Sequence, residues 1–316
     1  MGLKHSYTAL AANDASDEVS RTIWNADHVI AGTVEFPDTP APGTPAAGNA
    51  AKFAVKMAEK MFAGVLGPKG LAQLLQPSLA FARTIIWNPF GNSASAPANF
   101  GATSMTATGT LTARNVAATN LFTRTRRLGV VSAATAGALA GIRTSAAQIT
   151  TGDGAGLGGF FFTCRFGISD AAAVAGARMF VAMQASVAAP TNVEPSTLVN
   201  AIGVGHGAAD TNLKLFYGGT TAQTPIDLGA NFPTNTLSTE LYELTLFAAS
   251  TESGTVYYRV LRVNTGHVAT GTLSGAAAVL PTSTVLLTPI NSYRTNNATA
   301  LAVGIDHGYF YLETEH

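Results

Sequence analysis

The sequence predicts a mostly-β chain whose largest part, residues 96–316, folds as an antiparallel, jelly-roll-like β-sandwich. Three observations predict it. Short runs rich in β-branched and aromatic residues recur along this part, separated by Gly- and Asn-bearing turn signals. Within several runs apolar and polar residues alternate with the two-residue period of a half-buried strand. Neither βαβ alternation nor a fixed-period repeat is present, which removes parallel α/β folds and solenoids.

Residues 1–36 form an N-terminal segment with three marked stretches: Lys4-His5-Ser6-Tyr7, the polar run Asn13–Glu18, and Ile23-Trp24-Asn25-Ala26-Asp27-His28-Val29-Ile30. So short a segment cannot bury Trp24, Val29 and Ile30 within its own fold, so they dock elsewhere. A Pro-rich linker follows over residues 37–50. Pro37, Pro40, Pro42 and Pro45 favour an extended, semi-rigid spacer.

Residues 51–95 read as a small hairpin-containing region. Lys52–Met57 alternates, Glu59-Lys60 is the expected turn, and Met61–Val65 is the return strand. A helix over 50–63 suits the composition, but Gly64 and Gly67-Pro68 argue for the hairpin. Leu71–Leu79 reads as a short helix or apolar arm broken at Pro77. Thr84–Trp87 is a strand ended by Asn88-Pro89. The Ser/Ala/Thr-rich tract Gly91–Thr110 is a loop or a weakly patterned strand.

Strands are then expected at Phe160–Phe166, Arg178–Gln184, Leu198–Val204, Leu213–Tyr217, Leu241–Ala248, Thr255–Val263, Val285–Ile290 and Leu301–Leu312. Gly218-Gly219, Glu252-Ser253-Gly254, Asn264-Thr265-Gly266 and Asn296-Asn297 mark the turns between them.

The charge balance narrows the function classes. Lys plus Arg and Asp plus Glu are 18 each, and charged residues make up 11 % of the chain, against roughly 25 % in ordinary globular proteins. A surface so poor in charge is expected to be covered by copies of the chain or by partners. Neutrality argues against nucleic acid as a partner, since Arg124-Thr125-Arg126-Arg127 is the only basic knot and reads as a solvated turn or a subunit salt-bridge site. No apolar run is long enough to insert in a membrane, and the start lacks the apolar core of a secretory signal. The lone Cys164 excludes an internal disulfide, fits a reducing cytosol as the place of synthesis, and is expected buried and inert within its strand.

No catalytic constellation emerges. Gly154–Gly159 matches G-x-G-x-x-G, but a Phe-rich strand follows it where a phosphate-binding helix would be required. The six histidines show no metal-ligand spacing, and no metal or cofactor is expected. Asp170, Glu194, Asp210, Asp227, Glu240, Glu243, Glu252, Asp306 and Glu313 carry the carboxylates of the strand-rich part. Most fall near turns, where they are expected to face water; Glu243 alternates with core residues and could point into a groove. Nothing marks an acid/base pair, so the chain is read as a non-enzyme. A sugar-binding surface fits better: Tyr293, Arg294, Asn296 and Asn297 combine an aromatic ring with hydroxyl-gripping side chains in an expected loop, with His206 and Tyr217 as weaker candidates.

The N-terminal stretches resemble the attachment segment of tailed-bacteriophage tail fibre and receptor-binding proteins, where a KHS-type start and a W-N-A-x-H core recur. Gly67-Pro68-Lys69-Gly70 with Leu75-Gln76-Pro77, Arg114–Asn120 leading into Arg126–Gly129, and the C-terminal Leu241–Ala248, Val256-Tyr257-Tyr258 and Thr299–Val303 patterns are similar to later parts of the same family. The resemblance implies a homotrimeric virion protein with a C-terminal sandwich tip, made in the host cytoplasm. Tyr7, Trp24, Asn25, His28, Val29 and Ile30 would dock on tail or baseplate proteins, and the outer loops would meet a host-surface glycan or protein. The alternatives are a purely structural tail connector and a polysaccharide-degrading spike.

Overall fold

Two antiparallel sheets face each other across one apolar core, with a small third sheet beside them. The structure, a computed structural model, describes residues 43, 45–66, 72–75, 84–89, 92–95, 105–234 and 236–314. The expected attachment segment 1–36, with Tyr7, Trp24, Asn25, His28, Val29 and Ile30, lies outside the described residues, as does most of the Pro-rich tract.

The small sheet is β1 (Ala51–Met57), β2 (Lys60–Leu66) and β3 (Ala72–Leu75). The hairpin β1–β2 is the one the alternation predicted. Its two-residue turn is Ala58-Glu59, one position earlier than expected. Leu71–Leu79, read as a helix or arm, instead contributes β3, whose backbone pairs with the free edge of β2.

The seven-stranded sheet runs β13 (Ile226–Asp227), β12 (Lys214–Gly218), β11 (Ala201–His206), β10 (Arg178–Gln184), β17 (Asn291–Thr295), β8 (Leu139–Thr144) and β5 (Met105–Thr108). The eight-stranded sheet runs β16 (His267–Ser274), β15 (Thr255–Arg262), β14 (Tyr242–Ala248), β9 (Phe160–Ile168), β18 (Gly304–Thr314), β7 (Leu128–Val131) and β6 (Thr110–Ala113). Its remaining strand, β4 (Thr84–Trp87), pairs with the far half of β18. Among the described residues helix is limited to short pieces, such as α1 (Leu121–Arg124), which is closed by a reciprocal Asn120/Thr123 capping box.

Alternation builds the core. In β9, Phe160, Phe162, Cys164, Phe166 and Ile168 point inward; in β14, Tyr242, Leu244 and Leu246 do. They meet Met179, Val181, Ile202, Val204 and Leu215 from the other sheet. Trp87 of β4 stacks on Phe310 of β18 at 5.8 Å between centroids, and both are fully buried. Cys164 lies in this core as expected, and burial drives its thiol pKa up.

Several expectations are corrected. Val285–Ile290 makes only isolated bridges, Ile149↔Leu287 and Gln184↔Thr288; the strand begins beyond Pro289, which has no N–H to donate to a ladder. Tyr293 and Arg294, expected in a loop, therefore sit within β17. Gly129–Ile142, where no strand was expected, supplies parts of β7 and β8, because small residues suit strands packed close to their neighbours. Asp306-His307-Gly308 lies inside β18, within the strand expected at Leu301–Leu312. Arg127 is no solvated turn residue: it is buried, its Nε donates to Asp306 at 2.8 Å, and its guanidinium lies 4.7 Å from the Phe122 ring centroid. Asp170 and Asp306, expected to face water, are buried because arginines neutralise them, and Glu243, expected to point into a groove, is buried between two arginines. Gly154, Gly156, Gly158 and Gly159 all have positive φ and form a loop leading into β9, so the G-x-G-x-x-G match is a turn.

The hairpin turn holds Ala58 and Glu59 at φ 49° and 65°, the left-handed region that disfavours residues with a Cβ. Glu59→Gly is expected to stabilise the hairpin by about 1 kcal/mol. Amide hydrogen exchange across β1 and β2 should slow about fivefold.

Candidate functional site

A polar pocket of about 380 Å³ opens at one end of the sandwich, lined by His206, Asp210, Thr211, Thr234 and Arg294 with the apolar Val174, Ala177 and Pro233. Strand register creates it. Arg294 in β17, Met179 in β10 and His206 in β11 are cross-strand partners, so all three point to the same face of the sheet. Met179 lies in the core, which sets Arg294 and His206 at the core's end.

Arg294 reaches across to the other sheet. Its Nε donates to Asp170 Oδ1 at 2.8 Å, and its Nη2 pairs with Asp170 Oδ2 in a bidentate ion pair. Asp170 follows β9 and also accepts from the backbone N–H of Gly304 at 2.7 Å. Arg294 Nη1 lies 2.8 Å from His206 Nε2, and His206 Nδ1 lies 3.1 Å from the Gly207 carbonyl. These contacts define one tautomer: Nδ1–H donates to the carbonyl and Nε2 accepts from arginine. Burial, reinforced by the Arg294 charge, pulls the His206 pKa down to about 3. His206 is therefore a neutral acceptor at physiological pH.

Two further carboxylates lie close: Asp210 in the pocket wall, and Glu194 behind it, bonded to the lining residue Ala208. Asp210 Oδ2 accepts from Gly207 N–H at 2.7 Å, and its Oδ1 pairs with Lys214 at 2.6 Å. Glu194 accepts from Ala208 N–H at 3.3 Å and pairs with Arg178 Nε at 2.7 Å. All three carboxylates are thus committed to a cation and to backbone amides. With its carboxylates held in place by cations and amides, such a site presents fixed polar groups that can grip hydroxyls.

Of the residues the sequence singled out, only His206 and Arg294 come together. Tyr293 follows the alternation to the opposite face of β17, where it packs with Phe180, Ala201 and Phe216, and its hydroxyl donates to the Val193 carbonyl at 3.2 Å. Asn296 is fully buried and donates through Nδ2 to the carbonyls of Thr135 and Leu301. Asn297 occupies a left-handed turn position at φ 53°. Tyr217 packs against the main core from β12.

Asp170 is the organising residue that sequence reasoning passed over. Its signal was parity: positions 160, 162, 164, 166 and 168 point inward, and 170 continues the series. Among the described residues no group of three His, Cys, Asp or Glu side chains could hold a metal ion, and no helix is long and apolar enough to cross a membrane.

No protein-family model matches the chain, and no curated protein matches it. Among solved structures it is similar to a protein of unknown function from Shewanella oneidensis MR-1, at 13 % identity and TM-score 0.45, covering 76 % of this chain and 90 % of that one. It is also similar to lectin II from Ulex europaeus, at 11 % identity and TM-score 0.47, covering 74 % and 98 %. Arcelin-5, a lectin-like defence protein from Phaseolus vulgaris, matches at 7 % identity and TM-score 0.46, covering 73 % and 97 %.

Two outcomes test this geometry. Arg294→Met leaves Asp170 buried without its partner and should lower the unfolding free energy by about 3–5 kcal/mol; adding Asp170→Leu should restore most of the loss in urea denaturation. The second concerns pH. His206 and His307 are both buried with pKa values depressed to about 3, so below the ordinary value of 6.5 the unfolded chain binds protons that the folded chain refuses. Stability contributed by each is full above pH 6.5 and is lost as pH falls toward 3, with a slope of up to ~1.4 kcal/mol per pH unit per histidine. Replacing His307, whose Nε2 has no hydrogen-bond partner, by Leu should make stability fall less steeply from pH 6.5 to 4.

Proposed function

We propose that the chain is a receptor-binding or fibre protein of a bacteriophage tail, with the sandwich as its host-facing head and the N-terminal segment as its attachment to the tail. The observation that carries this reading is the end pocket. It offers polar groups where loops gather, while each of its carboxylates is already held by a cation and an amide. That chemistry suits adhesion to a hydroxyl-rich ligand, a host-surface glycan first and a surface protein second. It favours an adhesin over a polysaccharide-degrading spike, which requires a free acid and a nucleophile or base, and over a connector, which has no use for a polar pocket.

The tail context rests on the resemblance of Lys4–Tyr7 and Ile23–Ile30 to phage attachment segments. A homotrimer is the assembly that the same resemblance implies, and a surface with only 11 % charged residues suits self-association.

The test uses the full chain. Purified protein added to host cells should bind them and reduce adsorption of the parent phage. Retention on the phage without cell binding would instead identify a connector, and new reducing ends from host polysaccharide would identify a spike. Light scattering should give about three times the 32.3 kDa of one chain; a monomer would remove the trimer.

A further inference from the structure

The outer face of the eight-stranded sheet carries a second pocket, of about 390 Å³, remote in chemistry from the first. The β1–β2 hairpin walls it. Phe62 meets Phe161 edge-on at 4.8 Å between centroids. Lys60 is ion-paired with Glu313 and lies 5.4 Å and 5.3 Å from the Phe62 and Phe161 centroids. The floor is the outward-facing half of the same alternation that fills the core: Arg165, Glu243, Tyr309 and Tyr311.

We propose that this pocket binds an acidic saccharide, a pyranose carrying a carboxylate such as a uronic acid. Glu243 Oε2 accepts from Arg165 Nε at 2.8 Å and from the Tyr309 hydroxyl at 3.0 Å. Its Oε1 accepts one longer bond, 3.3 Å, from Arg259 Nη1. One carboxylate between two guanidinium groups leaves one positive charge in excess, and Oε1 retains acceptor capacity.

Arg165 is the only arginine among the pocket's lining residues. Glu243 takes its Nε donor, and Tyr309 holds it both through its ring at 5.3 Å and through a side-chain hydrogen bond, which leaves the outer part of the guanidinium for a ligand. Its side chain is 35 % exposed, whereas that of Arg294 is 2 % exposed with its fork filled by Asp170. A free guanidinium edge that is anchored at Nε and stacked on an aromatic ring is pre-oriented for bidentate capture of a carboxylate.

The backbone supplies the rest. Register shifts between His307 and Tyr309, a bulge at Gly308. Without it, alternation from the inward-facing His307 would send Tyr309 into the core; with it, Tyr309 faces outward beside Arg165, and Phe310 takes the inward place. A bulge that re-aims one side chain is a device found beside binding sites. A Cβ at position 308 would sit 3.1 Å from the Arg165 Cβ, tight enough to push on the Arg165 side chain.

Three features then match one ligand. The Arg165 edge takes the carboxylate, Glu243 Oε1 accepts from a neighbouring hydroxyl, and the part-exposed ring of Tyr311 covers the apolar face of the sugar. A neutral sugar lacks the charge, a simple anion lacks the ring, and a flexible chain of glutamates lacks the rigid apolar face that lies against Tyr311. The assignment is independent of the tail reading, because purified chain and free saccharides suffice to test it.

Titration calorimetry of the full chain with trigalacturonate should show binding at one site per chain. Galactotriose, acetate and triglutamate should bind at least tenfold more weakly. Arg165→Lys keeps the charge but removes the fork, and should weaken trigalacturonate binding at least tenfold with an unchanged melting temperature. Tyr311→Leu, which removes a stacking ring, should weaken it severalfold and serves if Arg165→Lys fails to fold. The proposal is overturned if galactotriose binds as well as trigalacturonate, if acetate or triglutamate competes equally, or if a folded Arg165→Lys or Tyr311→Leu protein binds as the parent does.

Discussion

Two-residue alternation along β9, β14 and β18, reset once by the bulge at Gly308, is the constraint on which the rest of this structure depends. These three strands are neighbours at the centre of the eight-stranded sheet. One parity delivers Phe160, Phe162, Phe166, Leu244, Leu246, Phe310 and Leu312 to the core. The other delivers Phe161, Arg165, Glu243, Tyr309 and Tyr311 to the outer face. Each buried aliphatic or aromatic side chain contributes roughly 1.5–3 kcal/mol, so a one-residue slip would bury the charged set and expose the apolar one. The register, and with it the position of every polar group on both faces, is therefore held by the hydrophobic core.

Within that frame the arginines divide by what their donors do. Arg294 spends its fork on Asp170 and its remaining amine on His206, and it bridges the two sheets where the apolar core ends. Arg127 and Arg114 share Asp306, tying β18 to the segments flanking α1. Such buried pairs lose as much in desolvation as they gain in attraction, and their effect is to make one arrangement of the chain unique, since any other strands a charge. Arg165 differs. It is held by Glu243 and Tyr309 with its side chain about a third exposed, so its outer donors face a ligand. The contrast between filled and unfilled forks separates structural from binding chemistry on this sandwich.

The strongly patterned strands were legible because their signal is local. Phe160–Ile168, Arg178–Gln184, Tyr242–Ala248 and Thr255–Arg262 all lie where alternation placed them. Weak strands such as β7, β8 and β16 were missed, because Gly, Ala and Thr pair in a sheet when a neighbour presents an edge, and no neighbour is visible in sequence. The Tyr293–Asn297 stretch misled for a related reason. Its Asn296-Asn297 turn signal is real, but the two residues before Thr295 belong to the ladder, where Tyr293 and Arg294 point to opposite faces. Among the candidate ligand residues, only those sharing a parity and a register row could meet.

The sequence by itself determined the fold class, the hairpin, the central strands and the parity of their side chains, because these follow from residue period and turn chemistry. It also placed Glu243 against a groove. Only the tertiary structure decided which polar residues converge. Asp170 and Arg294, and Arg165 and Tyr309, are separated by more than a hundred residues and meet through strand pairing and a single bulge. Pairing partners and register are set by burial summed over the whole core, a long-range quantity that no local pattern encodes.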